Sequence, residues 1–215
     1  MKTSTIELGP LALLLALGGA GGQSVSACGG TGGPTGTSGG ASSPPPPLSV
    51  DSVSSGGSGC PEAGSVSAAL DPDTGSVLLT YSKMTLAYPP VPGFQHFNCA
   101  AGLSVHGVAG WQFAAAEARV EGVAHLPPGA QGKASTSVFF AGAPGGSTVQ
   151  SMLQGFYDGK YTFADTFSAE EWSPCGESAL VNINVGLNLE VPTSSQESAS
   201  INVKKVEIPI VRRRC

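Results

Sequence analysis

Basic charge is scarce in this chain and unevenly placed. Ten Lys and Arg stand against fifteen Asp and Glu, for a formal net charge of -5. Nucleic acid is thereby excluded as a partner, since there is no broad cationic surface to neutralise phosphates. The one basic run, Arg212-Arg213-Arg214, reads as a solvated tail beside Cys215. Long apolar runs are absent too. The longest near the start, Leu11–Leu17, is well short of the roughly 20 residues that span a bilayer as a helix. No Cys-x-x-Cys pair is present, which argues against a zinc site. Neither a Gly-x-Ser-x-Gly elbow nor a His-Glu-x-x-His helix occurs, and Gly132-Lys133 lacks the rest of a phosphate loop. His96, His106 and His125 are too widely spaced for a short metal-ligand motif. No stretch carries a persuasive amphipathic helix. These absences leave no expected cofactor, metal or catalytic residue.

Glycine and proline are abundant, at 31 and 17 residues, and much of the excess precedes residue 60. The N-terminus has the pattern of an export signal: Lys2, then the apolar core, then small residues. Residues 1–27 are therefore expected to be a signal peptide and the protein to be exported. Two processing readings stay open. One is ordinary cleavage near Ala20 or Ala27. The other takes Val25-Ser26-Ala27-Cys28 as a lipobox whose cysteine is acylated, which would make a lipid anchor the only membrane contact. Five cysteines are odd for an exported chain, and assigning Cys28 to lipid leaves an even set. Residues 28–59 are Gly, Ser, Thr and Pro with little to bury, and read as a disordered linker stiffened by Pro44–Pro47.

From Cys60 to Cys215 the chain reads as one disulfide-tied domain. Cys60, Cys99, Cys175 and Cys215 allow three pairings, among which sequence cannot choose. The sequence-local one, Cys60 with Cys99 and Cys175 with Cys215, is the pairing expected here. Oxidation suits an exported protein. The clearest strand is Leu180–Val191. Val181, Ile183, Val185, Leu187, Leu189 and Val191 alternate with Asn182, Asn184, Gly186, Asn188 and Glu190, giving one dry face and one wet face. Just upstream, Trp172 and Cys175 are expected to pin this strand with a core aromatic and a cross-link.

Around it, turn signals recur at near-regular spacing. Asp71–Gly75, Pro127–Gly129 and Ala143–Gly146 read as turns. Asp158-Gly159 reads as the tight turn of a hairpin. Apolar parity switches between Ala115 and Ala118, and again near Lys204-Lys205, predicting bulges. Pro209 is expected at a sheet edge. The total is about nine strands, an all-β antiparallel sandwich of jelly-roll-like type behind a disordered stalk.

Chemistry has few candidates. The prolines of Tyr88–Gly93 predict a loop reaching Cys99, which carries Phe94, His96 and Phe97. With Trp111, these form the candidate ligand surface. Asp71 and Asp73 read as turn residues, with calcium as the rival reading. Asp158, Asp165, Glu170 and Glu171 are the acidic candidates should the protein be a small polysaccharide hydrolase. A non-catalytic binding or structural module with an extracellular carbohydrate or protein partner is the expectation. A hydrolase and an adhesion module are the alternatives.

Several motifs, in order, resemble a family. They are Cys60-Pro61 with Gly64-Ser65-Val66-Ser67, Asn98-Cys99, Gly110-Trp111-Gln112-Phe113, Trp172-Ser173-Pro174-Cys175-Gly176, Asn182-Ile183-Asn184 and Arg214-Cys215. Together residues 60–215 resemble a family of small secreted proteins, frequent in fungi and found in some bacteria, catalogued as domain of unknown function 4360. The resemblance implies an extracellular β-rich domain with paired cysteines. It transfers no catalytic residue.

Overall fold

The strict alternation from residue 180 onward sets the core. The computed structural model describes residues 47–89, 92–143, 145–168, 171–176 and 178–215. The expected signal peptide, Cys28, the linker up to residue 46 and Glu170 lie outside the described residues. Thirteen strands are described: β1 (Ser49–Gly56), β2 (Val66–Leu70), β3 (Val77–Tyr81), β4 (Thr85–Tyr88), β5 (Gly93–His106), β6 (Trp111–Ala115), β7 (Glu117–Leu126), β8 (Gln131–Phe140), β9 (Ser147–Gln154), β10 (Tyr157–Thr166), β11 (Ser178–Val191), β12 (Ala199–Ile208) and β13 (Ile210–Arg214). Every pairing between them is antiparallel.

Two sheets form an antiparallel sandwich. The first has the order β1-β5-β11-β8-β9, and the second β10-β7-β12-β3-β2, with β4 also on β12. Strand β11 sits at the centre of the first sheet. Its apolar half, from Val181 to Val191, is buried and joins Leu79, Leu86, Leu126, Ile201 and Ile208 of the second sheet in one core cluster. Dry inner faces and wet outer faces follow from this packing.

The more than nine strands arise from edges and breaks that apolar patterning does not mark. The expected linker ends early, because Ser49–Gly56 is strand β1, laid along β5. Its side chains are mostly exposed, so backbone pairing, not burial, holds it. The expected loop ends early as well. Strand β5 begins at Gly93 and pairs β11 from Val191↔Gly93 to Ser178↔His106. Asp158-Gly159 is not a turn but lies inside β10, opposite His125 and Ala124. The chain instead leaves β9 and enters β10 at Gly155-Phe156, passing from the first sheet to the second.

Both expected parity switches are present. Strand β12 has a bulge between Val203 and Lys205. The other switch is a break at Ala116, where β6 leaves the second sheet and pairs with β13 in a two-stranded third sheet. Pro209 interrupts β12 and β13 at the same level, and its carbonyl accepts the Ala116 N–H. A residue without an N–H ends a ladder. In that third sheet the arginine run is strand rather than tail, with Arg213 and Arg214 still exposed to solvent. The Arg213 guanidinium lies 3.9 Å from the Trp172 ring centroid, and Arg214 lies 5.4 Å from that of Trp111. Trp172 is thus a half-buried platform bridged to Ala114, not a core anchor of β11.

The disulfides join Cys60 to Cys99 and Cys175 to Cys215, across 39 and 40 residues. The first is buried at the start of the sandwich. The second ties the approach of β11 to the end of β13.

Two buried phenols give the fold a pH signature. Burial pushes the Tyr81 hydroxyl far above the ordinary tyrosine value of 10.0. Burial, and then the nearby Tyr157, do the same to Tyr161. Folded chains therefore keep these protons where unfolded chains lose them. Their contribution is complete below about pH 10 and falls as pH rises beyond it. Thermal scans between about pH 8 and about pH 11 are expected to show Tm dropping only in the upper part of that range. The Tyr81 hydroxyl has no hydrogen-bond partner among the described residues. Tyr81→Phe is accordingly expected to match or exceed the parent Tm and to soften the alkaline loss. A Tyr81→Phe chain that melts well below the parent at neutral pH would contradict this.

Candidate functional site

The polar half of β11 is the floor of the site. Asn182, Asn184, Gly186, Asn188 and Glu190 face away from the core, and register places each between a residue of β5 and one of β8. Asn188 stands between His96 and Lys133, with Met152 beyond on β9. One pair further along, Glu190 stands between Phe94 and Gln131. These two rows enclose a shallow pocket of about 290 Å³ lined by Phe94, Gln131, Lys133, Met152, Asn188 and Glu190.

The lining groups and the neighbouring His96 have distinct chemistries. Phe94 is 62% exposed and Met152 47%, so both offer apolar surface to solvent without supporting the core. The His96 ring lies within hydrogen-bonding distance of the Asn188 amide oxygen through Nδ1. With that oxygen as acceptor, Nδ1 carries the proton and Nε2 is left to accept. Gln131 and Asn188 each offer a donor and an acceptor. Lys133 and Glu190 bring opposite charges, so the pocket has little net charge. Gly186 adds no side chain, and a methyl there would lie 2.6 Å from Ser135 Oγ. The Ser135 hydroxyl thus occupies the space above Gly186.

The candidate surface residues separate by strand parity. Phe94 and His96 project together on the outer face. Phe97 turns inward and packs, partly buried, against the core. Trp111 is in the third sheet, paired with Arg214, and belongs to a different surface. The remaining lining residues come from β8, β9 and β11. Sequence showed Asn188 and Glu190 on the wet half of a strand. It offered nothing to place Gln131, Lys133 or Met152 beside them, since that needs the register of four strands.

The acidic candidates do not gather. Asp158 and Asp165 are seven residues apart on β10 and point to opposite faces, which puts them roughly 23 Å apart along the strand. Glycosidase carboxylates work at about 5–9.5 Å. Asp158 pairs with His125 at 3.3 Å, in the open, on the outside of the second sheet. Asp165 accepts the Ser151 hydroxyl and so links the edges of the two sheets. Glu171 lies beside Gly145. The Asp71 carboxylate accepts the Asp73 and Thr74 N–H groups, and these bonds hold its carboxyl below the usual range. That is a turn-forming role. Among the described residues no group of three or more His, Cys, Asp or Glu is placed to hold a metal ion.

Known proteins give the following likenesses. An uncharacterized secreted protein of Arthroderma benhamiae is 28% identical over 141 residues, covering 64% of this chain. This chain spans 57% of the length of that relative. Among solved structures, TmCBM61 in complex with β-1,4-galactotriose aligns with 77% of this chain and 90% of its own, at 11% identity and a TM-score of 0.27. The family 11 carbohydrate-binding module of Clostridium thermocellum, in complex with a mixed-linked β-1,3-1,4-tetrasaccharide, aligns with 75% and 94%, at 9% identity and a TM-score of 0.24. A family model described as domain of unknown function (DUF4360) matches residues 46–213. That match runs from the approach to β1 into the arginines of β13 and takes in both sheets, so the chain belongs to the DUF4360 family.

Proposed function

We propose that this protein is an exported, non-catalytic binding module that holds an extracellular carbohydrate on the outer face of its first sheet. Residues 1–27 would direct export, residues up to the start of β1 would form a stalk, and the sandwich would carry the ligand. Description of the Arthroderma benhamiae relative as secreted supports export, as do the two disulfides. One observation carries the binding reading. Phe94, a 62% exposed ring with no part in the core, lines a pocket shared with the amides Gln131 and Asn188. A sugar ring has an apolar C–H face and a rim of hydroxyls that both donate and accept. An exposed aromatic beside paired amides complements both parts.

The test is retention of the purified full chain by a panel of insoluble polysaccharides and peptidoglycan, with the supernatant assayed for released sugars. Retention without release is the expected result. Phe94→Ala is expected to weaken retention about tenfold or more while leaving Tm within about 2 °C, because its ring is exposed. Release of sugars would overturn the non-catalytic reading. Retention indifferent to Phe94→Ala would remove the site.

A further inference from the structure

The wet face of the first sheet continues far beyond the pocket. From the Glu190 row to the Asn182 row the face runs eight residues along β11, roughly 27 Å. Phe139 stands beside Asn182 at the far end and is 40% exposed, with Leu180 next along the strand 48% exposed. Among the described residues, four of the exposed large apolar side chains, Phe94, Met152, Phe139 and Leu180, thus stand on this one face, grouped at its two ends. Between them lie Asn184, Gly186, Ser135, Ser137 and Thr148, with no charged side chain on the intervening rows of β5, β11, β8 and β9. Thr148 and Ser137 hydroxyls bond to each other. The Asn184 amide oxygen is buried with no hydrogen-bond partner among the described residues, so an approaching hydroxyl that turns this amide outward satisfies it.

We infer that the ligand of this face is an extended, uncharged glycan several sugar units long, laid along β11 from Phe94 to Phe139. The inference rests on the carbohydrate reading above and adds length, direction and charge. Length follows from apolar groups at both ends of a polar run, each able to seat a separate sugar ring. Absence of charge follows from the intervening rows and from the offsetting Lys133 and Glu190: an anionic polymer would meet no cationic track here. An extended polypeptide would need free backbone groups for strand addition. Those of the β5, β11 and β8 ladders are already paired, and a face of amides and hydroxyls suits a ligand with a hydroxyl on every unit.

Calorimetric titration of the full chain decides it. The probes are cello-, xylo-, manno- and galacto-oligosaccharides of two to six units, with oligogalacturonides as the charged control. At least one neutral series is expected to gain about tenfold or more in affinity from two units to six, with little change at high salt. Phe139→Ala is expected to abolish that gain and leave the shortest binders unchanged, whereas Phe94→Ala weakens every length. Binding that is complete at two units, or a length gain untouched by Phe139→Ala, would overturn the two-ended arrangement and leave the carbohydrate reading standing. Preference for oligogalacturonides, lost in salt, would overturn the uncharged ligand alone. If no oligosaccharide binds, both this inference and the carbohydrate reading fail.

Discussion

Replacing Cys60 and Cys99 together by alanine is expected to lower stability by up to about 4 kcal/mol, and Tm by roughly 10 °C. The loop they close spans 39 residues, long enough for the cross-link to remove much freedom from the unfolded chain. Both half-cystines are buried, at 1% and 0% exposure, and belong to the core cluster, so the change also leaves a small void there. Total stabilities of domains run to about 5–15 kcal/mol, so the loss is a large share. The Cys175–Cys215 bridge closes a loop of similar length, across 40 residues, but both its residues are exposed. Mild reductant is expected to open it first, releasing the end of β13 from the approach to β11 while the β6–β13 ladder and the sandwich persist. Thiol counting by mass spectrometry during reduction checks the order. Simultaneous loss of both bridges would contradict this difference in access.

The second large effect is expected at Gly122. Here β7 and β12 come together at the bulge, and a methyl on Gly122 would lie 1.9 Å from the Asn202 carbonyl oxygen and 2.8 Å from Tyr161 Cε1. The first obstacle is backbone. It can yield only if the two strands separate, which also disturbs the Tyr161 hydroxyl bond to that same carbonyl, 2.7 Å long. Gly122→Ala is expected to cost about 3 kcal/mol or more. Tyr161→Phe removes the hydrogen bond alone and is expected to cost about 1–2 kcal/mol. Denaturant unfolding of both variants gives the comparison, and a Gly122→Ala chain as stable as Tyr161→Phe would mean that the strands accommodate the methyl.

Much of this architecture was legible because burial writes itself into alternation. Strand β11 declared its two faces over its whole length, and the switch near Lys204-Lys205 declared its bulge. Where burial is weak the signal fails. Strand β1 is mostly exposed serine and glycine on a sheet edge, and such a strand has the composition of a linker. The start of β5 was hidden because phenylalanine occurs on both its faces, Phe94 outward and Phe97 inward, directly after a proline run. Asp158-Gly159 carries the chemistry of a tight turn, yet Gly159, at φ 142°, continues a strand opposite Ala124.

The binding face was legible only in part, and for a topological reason. The wet row of β11 was visible, as was the aromatic beside it at Phe94. The partners on β8 and β9, including Gln131, Lys133 and Met152, come from a hairpin far away in sequence and become neighbours only through register. Trp111 was a candidate as a large aromatic of the kind that suits a sugar ring. Its ring is paired with Arg214 in another sheet.

The most direct measurement is a side-chain NMR titration. The probe is the oligosaccharide from the neutral series that the full chain binds most tightly, added while the Asn and Gln amide signals, the His96 ring and the two Trp indoles are followed. Shifts confined to the amides of this face, Asn182, Asn184, Asn188, Asn98, Gln131 and Gln150, and to the His96 ring, with both indoles still, are the predicted result. Shifts of the Trp111 and Trp172 indoles with the Asn188 and Gln131 amides unmoved would put the ligand on the third sheet and contradict the account.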